Sequence, residues 1–254
     1  MRLKILGCSG GIGGSRRTTA FLLDQDILID GGTGLIDLTL EEMTRIDHIF
    51  ITHSHLDHTG CIPLLIDSVA RHRHTPIHIY AIEPVLHILK QHMFNWLLWP
   101  DFGCIPTEEY PAVIYENLTI DEATDLDGRR ITPIPANHVV PAVGYQLESQ
   151  TSTLIFTGDT TCNDALWERI NNIDNIAHLI IETAFPEEWR DMALLSKHLS
   201  PSLLARELIN LKCNPTVYLT HLKPGDEQKI VDEVRLYTRN HTINVLYNGQ
   251  TIIF

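Results

Sequence analysis

The chain has 254 residues, 44% of them hydrophobic, and carries 32 acidic against 19 basic side chains for a net charge of -13. That size suits one α/β domain spanning 1–254 with a substantial core, and the acidity disfavours long nucleic acids as partners. Five scattered cysteines with no Cys-x-x-Cys pair speak against a disulfide framework or thiolate zinc site, and with no apolar leader or membrane-length run a cytoplasmic protein free of membranes is expected.

Along the chain, short apolar strands alternate with amphipathic helices. Strands are predicted over 3–6, 20–23, 27–29, 46–52, 77–81, 130–134, 143–147, 153–157, 179–182, 217–220 and 244–247. The glycine-rich stretch 7–14 after the first strand lacks both the dinucleotide fingerprint and the Walker lysine, so it reads as a hairpin near the site rather than a phosphate cradle. Asp30 ends the third strand in front of Gly31 and Gly32.

The run 46–52 leads into His53-Ser54-His55-Leu56-Asp57-His58, four metal-ligand side chains in six residues. Side chains two apart at a strand end point the same way, so His53 and His55 are expected to grip one ion from a single face. A turn into a helix then aims Asp57 and His58 at a second ion. Helical spacing follows in Ile62, Leu65, Ile66 and Val69. The segment 87–110 gathers Phe94, Trp96, Trp99, Phe102 and Tyr110, a density that fits core packing or a homodimer interface, with stacking on a purine or a lid over the site as the functional alternative.

Further ligands should stand just after strands, where loops at one edge of a sheet converge. His138 follows 131–135, Asp159 follows 154–157 and His221 follows 217–220. All are histidine or carboxylate, a set that suits zinc and also manganese or iron. His72, His74, His78, His87 and His92 are not spaced to join them. Two cations roughly 3.5 to 4 Å apart activate a shared water and neutralise a phosphodiester, which leaves the departing alkoxide in need of a proton from an acid that is not a ligand. His198, before the Ser200-Pro201 helix start, is the candidate for that acid, a helix-capping or surface histidine being the alternative, and Glu182, ending the strand 179–182, is placed to orient its ring.

This ordered set resembles the metallo-β-lactamase superfamily from Asp30 to His221. The resemblance implies an α/β fold, a four-layer αββα sandwich with the metals at one edge. It implies that His53, His55 and His138 hold one ion, that Asp57, His58 and His221 hold the other, and that Asp159 bridges them. Asp30 looks like the family's supporting aspartate, a turn carboxylate being equally good on the residues alone. Glu182-Thr183-Ala184-Phe185-Pro186, Lys197-His198-Leu199-Ser200-Pro201 and the first motif's ending at Gly60 narrow the resemblance to the class II 3',5'-cyclic-nucleotide phosphodiesterases. The related transfer RNA 3'-processing endonucleases carry a similar glutamate and histidine.

The expected activity is hydrolysis of a small nucleotide phosphodiester, cyclic AMP to 5'-AMP, by metal-bound hydroxide, with Asp57, His198 and Glu182 as catalytic residues. Adenine is preferred on family similarity alone. No long glycine- and proline-rich basic arm is found, which sets the transfer RNA endonuclease second; a non-catalytic metal-dependent nucleotide-binding module is the rival from another class.

Overall fold

The computed structural model describes residues 1–238 and 241–254. β-branched and aromatic runs pair into two seven-stranded sheets. The first is built from β1 (Arg2–Gly7), β2 (Ala20–Leu23), β3 (Ile27–Ile29), β4 (His48–Phe50), β5 (Ile77–Ile82), β8 (Val113–Leu118) and β16 (Thr251–Ile253), in the order β16-β1-β2-β3-β4-β5-β8. The second contains β9 (Thr124–Leu126), β10 (Arg129–Pro135), β11 (Val143–Glu148), β12 (Thr153–Phe156), β13 (Ile176–Glu182), β14 (Thr216–Thr220) and β15 (Ile243–Val245), in the order β15-β14-β13-β12-β11-β10-β9. A two-stranded ribbon of β6 (Pro106–Thr107) and β7 (Tyr110–Pro111) stands apart.

Strand alternation sorts the apolar residues into three layers. Phe21, Leu23, Ile27, Ile29 and Phe50 point between the sheets, where they meet Ile131, Tyr145, Leu154 and Phe156. The Phe21 and Phe156 rings meet edge to face at 4.9 Å, a favourable arrangement of their quadrupoles. Ala20, Leu22, Leu28 and Ile49 point the other way, under α3 (Ile62–Val69) and α4 (Glu83–His92). Behind the second sheet, α5 (Asp164–Ile170), α7 (Pro201–Leu208) and α8 (Glu227–Tyr237) bury Leu166, Leu204 and Ile230 against Ile155, Leu179 and Leu219. The result is the αββα sandwich expected, two sheets face to face with helices outside.

Each sheet begins antiparallel and ends parallel: β3, β4, β5 and β8 run together, as do β12, β13, β14 and β15. The carboxyl ends of β10, β12, β13 and β14 therefore share an edge, and Thr52, just after β4, joins it by accepting the Val143 N–H at 3.0 Å. Ligands of open α/β sheets collect outside such strand ends.

One expectation is corrected and one alternative set aside. The run 46–52 forms a strand only over His48–Phe50, so His53 and His55 lie beyond it and strand alternation does not align them. The aromatic segment is not a lid: α4 starts at the carboxyl end of β5, and the segment carries the chain back towards the amino end of β8, away from the edge where the candidate ligands gather. Phe94 and Phe102 are buried beneath α3 and α4, whereas Trp96, Leu97, Leu98 and Tyr110 are exposed. Among the described residues no helix is long and apolar enough to cross a membrane.

Candidate metal centre and acid pair

His55 sits at the N-cap of α2 (Leu56–Thr59) without making a capping bond from its side chain, so its ring is left for other work. Asp57 and His58 follow in the first turn. The rings of His53 and His55 lie 4.7 Å apart and that of His138 lies 5.0 and 4.9 Å from them, with His138 Nε2 facing His55 Nδ1 at 3.2 Å. His58 and His221 stack at 5.5 Å, and His221 Nε2 lies 3.8 Å from Asp57 Oδ2. Asp159 stands between the groups, Oδ2 3.4 Å from His58 Nε2 and 3.7 Å from His53 Nε2, Oδ1 3.5 Å from His221 Nδ1. All seven residues expected as ligands converge on one edge.

Whether they fit a divalent cation can be judged from their unsatisfied atoms. His53 Nε2, His58 Nε2 and both ring nitrogens of His221 are buried with no hydrogen-bond partner among the described residues. Orphaned buried polar atoms cost about 1–3 kcal/mol each. The donor atoms of His53, His55 and His138 lie within 4.8 Å of one another, and so do those of Asp57, His58 and His221, and those of His53, His58 and Asp159. Spacings of 3.4 to 3.8 Å are long for hydrogen bonds but suit ligands about 2.0–2.2 Å from a shared tetrahedral ion. The cluster therefore suits divalent metal.

Ionisation agrees. Burial holds the His53 imidazole well below its ordinary value, pushes His138 down to about 4 and His221 to about 3, so all three are neutral donors at pH 7. Burial would raise Asp159, but the facing rings of His221, His58 and His53 outweigh it and hold the carboxyl well below its ordinary value. His58 departs from the other rings, since against burial Asp159 and Asp30 raise it well above its ordinary value, and a cation on Nε2 would displace that proton. Asp30, fully buried at a left-handed φ of 57°, accepts from Thr52 N and Oγ1 at 2.8 Å each and from His58 Nδ1 at 2.7 Å. It fixes the tautomer that turns His58 Nε2 towards Asp159, which is more than a turn carboxylate does.

His198 Nδ1–H donates to Glu182 Oε1 at 2.7 Å, and the ring lies 5.0 Å from His138 and 5.2 Å from His221. Glu182 is wholly buried and held by the Thr160 N–H at 3.1 Å and the Leu199 N–H at 3.2 Å. Burial alone would depress His198; the charge and hydrogen bond of Glu182 overcome it and raise the imidazole above its ordinary value. Ser200 is the N-cap of α7, yet its hydroxyl donates to Glu187 at 3.1 Å rather than capping the helix. Of the histidines set aside, His72, His74, His87 and His92 are exposed and His78 bonds Glu116 at 2.9 Å.

Several supporting residues carry no sequence signal. Asn137 ties three loops together: its N–H donates to Thr160 Oγ1 at 3.0 Å, its carbonyl accepts from Thr161 N at 2.9 Å, and its side-chain oxygen accepts from Lys197 Nζ at 3.0 Å. The glycine-rich stretch is pinned rather than free, Gly10 N–H donating to Leu222 O at 3.0 Å and Lys223 Nζ to Gly10 O at 2.9 Å. A Cβ at Gly10 would stand 2.5 Å from the carbonyl oxygen of His221, so only glycine permits that approach.

Fold and cluster together define a metal-binding αββα protein. A family model described as the beta-lactamase superfamily domain matches residues 25–222, and the chain belongs to that superfamily. It is 27% identical over 213 residues to a probable 3',5'-cyclic-nucleotide phosphodiesterase of Yersinia pestis, covering 72% of this chain and 59% of that protein. It is 28% identical over 215 residues to a 3',5'-cyclic-nucleotide phosphodiesterase of Schizosaccharomyces pombe, covering 70% and 58%. The chain thus spans under three fifths of the length of these two curated relatives. A ribonuclease Z of Methanococcus maripaludis is 33% identical over 104 residues, 40% of this chain and 31% of that one. Among solved structures, unliganded yeast PDE1 superimposes with a TM-score of 0.84 at 19% identity, covering 100% of this chain and 99% of that one. The short form of human tRNase Z gives 0.71 at 18%, covering 100% and 99%. At these identities the likeness is one of fold.

Proposed function

We propose that this protein is a metal-dependent phosphodiesterase acting on a small nucleotide, with cyclic AMP as substrate and 5'-AMP as product. The observation that carries the reading is the 2.7 Å bond between His198 and buried Glu182 beside the ligand cluster, a proton donor standing next to an anion-accepting centre. Relatives named as cyclic-nucleotide phosphodiesterases support the substrate class.

His53, His55 and His138 would hold one cation, Asp57, His58 and His221 a second, and Asp159 both; imidazole and carboxylate donors suit zinc, with manganese or iron as alternatives. Bound divalent cations supply a lowered pKa for water and charge neutralisation at phosphoryl oxygens. Glu182, facing Nδ1, favours the protonated form of His198. Its Nε2–H is then free to pass to the 3'-oxygen as the P–O3' bond breaks, while Glu182 stabilises whichever ring form remains. Asp57, the ligand carboxylate with 30% of its side chain exposed, is the one an entering water meets, and it orients that water by accepting its hydrogen bond.

The net charge of -13 favours a small ester over a long RNA. Relatives named ribonuclease Z keep precursor transfer RNA as the second substrate to test. Incubation of the metal-loaded protein with cyclic AMP, bis(p-nitrophenyl) phosphate and precursor transfer RNA separates the readings. Release of 5'-AMP, lost in Asp159→Ala, is expected. Cleavage of the artificial diester alone would remove cyclic AMP, and binding of cyclic AMP without turnover would make the protein a nucleotide-binding module.

A further inference from the structure

Lys223 lies two residues beyond His221, and its N–H donates to the carbonyl of Ala184 at 3.1 Å, which binds the strand end carrying Glu182 to the loop carrying His221. Its ammonium donates to Gly10 O at 2.9 Å and stands 5.7 Å from the centroid of the half-buried Phe185 ring. Phe185 in turn lies edge-on to His198 at 5.9 Å. The amine therefore lies across the Phe185 ring from His198, on the side where His198 stacks on His221 at 5.2 Å. Among the described residues no carboxylate lies within 4.0 Å of it; the same holds for Lys197, whose amine makes two hydrogen bonds, whereas that of Lys223 makes one, to Gly10 O.

A half-buried ammonium without a counter-ion is costly, and here the cost rises with function. Asp57 and Asp159 are the two carboxylates among the seven ligands, while Asp30 and Glu182 are engaged behind them by His58 and His198, so the open face of the cluster with two divalent cations bound is positive and a further positive charge beside it is repelled. An anionic group in the space between would relieve that repulsion. We propose that Lys223 is a specificity-determining residue that holds a non-bridging phosphoryl oxygen of the bound ester and of the phosphate product, with Phe185 forming the apolar wall on the leaving-group side. The site would then select anionic esters by the amine as well as by its cations.

This inference rests on the phosphodiesterase reading, and a binding measurement separates the two. Calorimetric titration of the metal-loaded protein with inorganic phosphate should give a Kd about 10-fold weaker in Lys223→Met and near the wild-type value in Lys223→Arg, with metal content unchanged in both. The KM for bis(p-nitrophenyl) phosphate should rise in parallel in Lys223→Met while kcat stays within about 3-fold of wild type. Unchanged phosphate affinity in Lys223→Met would overturn the proposal. So would equal weakening in the methionine and arginine variants, or loss of metal, since either would make Lys223 part of the scaffold. Phosphate binding that depends on Lys223 in a protein that cleaves no diester would refute the phosphodiesterase reading and leave this one standing.

Discussion

His138 and Lys197 hold each other through their backbones: His138 Nδ1–H donates to the carbonyl of Lys197 at 3.1 Å, and Lys197 Nζ donates to the carbonyl of His138 at 3.1 Å. The first bond fixes the imidazole tautomer, so that Nε2 is the atom presented to His55. The second, with the bond to Asn137, ties the His138 loop to the residue preceding His198. Lys197 also adopts a left-handed φ of 53°, a strain its neighbours sustain. One lysine thus aligns a candidate ligand with the candidate acid.

Replacing Lys197 by methionine leaves its carbonyl bond to His138 and removes both amine bonds. Stability should fall by about 1–2 kcal/mol, and metal should bind about 10-fold more weakly, as expected when the support of a ligand is lost. Thermal melts and competitive metal titration read the two effects. Wild-type metal affinity in the variant would show that the carbonyl alone suffices.

The acid pair makes a prediction in pH. Because Glu182 raises His198 above its ordinary 6.5 against the opposing effect of burial, the donor form persists to higher pH than in a free imidazole. The kcat should fall on the alkaline side as pH rises through that raised value. In Glu182→Gln the largest opposition to burial is removed and the weaker effect of Asp159 remains, so the alkaline limb should shift towards lower pH and kcat should drop about 10²-fold. His198→Ala should lose about 10² to 10⁴-fold in kcat with metal content intact. An unmoved alkaline limb in Glu182→Gln would assign it to another group.

Much of this site was legible because each candidate ligand is either in the dense His-Ser-His-Leu-Asp-His run or stands alone after an apolar strand. Glu182 was legible at the end of an apolar strand, and His198 by its place before the Ser200-Pro201 helix start and by the family resemblance. Lys197, Asn137 and Lys223 were not, since their bonds join loops distant in the chain: Lys197 meets His138 across 59 residues and Lys223 meets Gly10 across 213. In the fold, β8 escaped notice because Tyr115, Glu116 and Asn117 break its apolar pattern, and pairing with β5 makes it a strand. β16 is three residues long and is defined by its pairing with β1. The strand at 46–52 was overdrawn because Ile51 and Thr52 are buried for another reason: the Ile51 carbonyl accepts from the Tyr145 hydroxyl at 2.7 Å and Thr52 bonds Asp30.

Chelation should destabilise the protein, because His53 Nε2, His58 Nε2 and both ring nitrogens of His221, which have no hydrogen-bond partner among the described residues, then lose the cation. A cation held at a hundred times its Kd contributes about 2.7 kcal/mol, equivalent to roughly 5–10 °C in melting temperature for a domain of this size. Scanning calorimetry with and without a chelator measures it. The shift should vanish in Asp159→Ala, and a shift that persisted there would place the metal elsewhere.

The two sheets are also fastened at the end where β2 turns into β3. Arg129, opening β10, grips Asp26 with both arms, Nη1 to Oδ1 at 2.6 Å and Nη2 to Oδ2 at 2.9 Å. Burial would raise Asp26, but the bonds to Arg129 outweigh it and hold the carboxyl below its ordinary 3.8. Such a group stabilises the fold fully above its unfolded value, and the contribution is lost as pH falls through the lower folded one. Solvent reaches 27% of the Asp26 side chain and 17% of Arg129, so screening limits the pair to about 1 kcal/mol. Asp26→Asn should therefore be less stable than wild type by about that amount at pH 7, and the gap in urea midpoints should narrow as pH drops below 3.8. A gap that stayed constant with pH would assign the effect to packing of the turn rather than to charge.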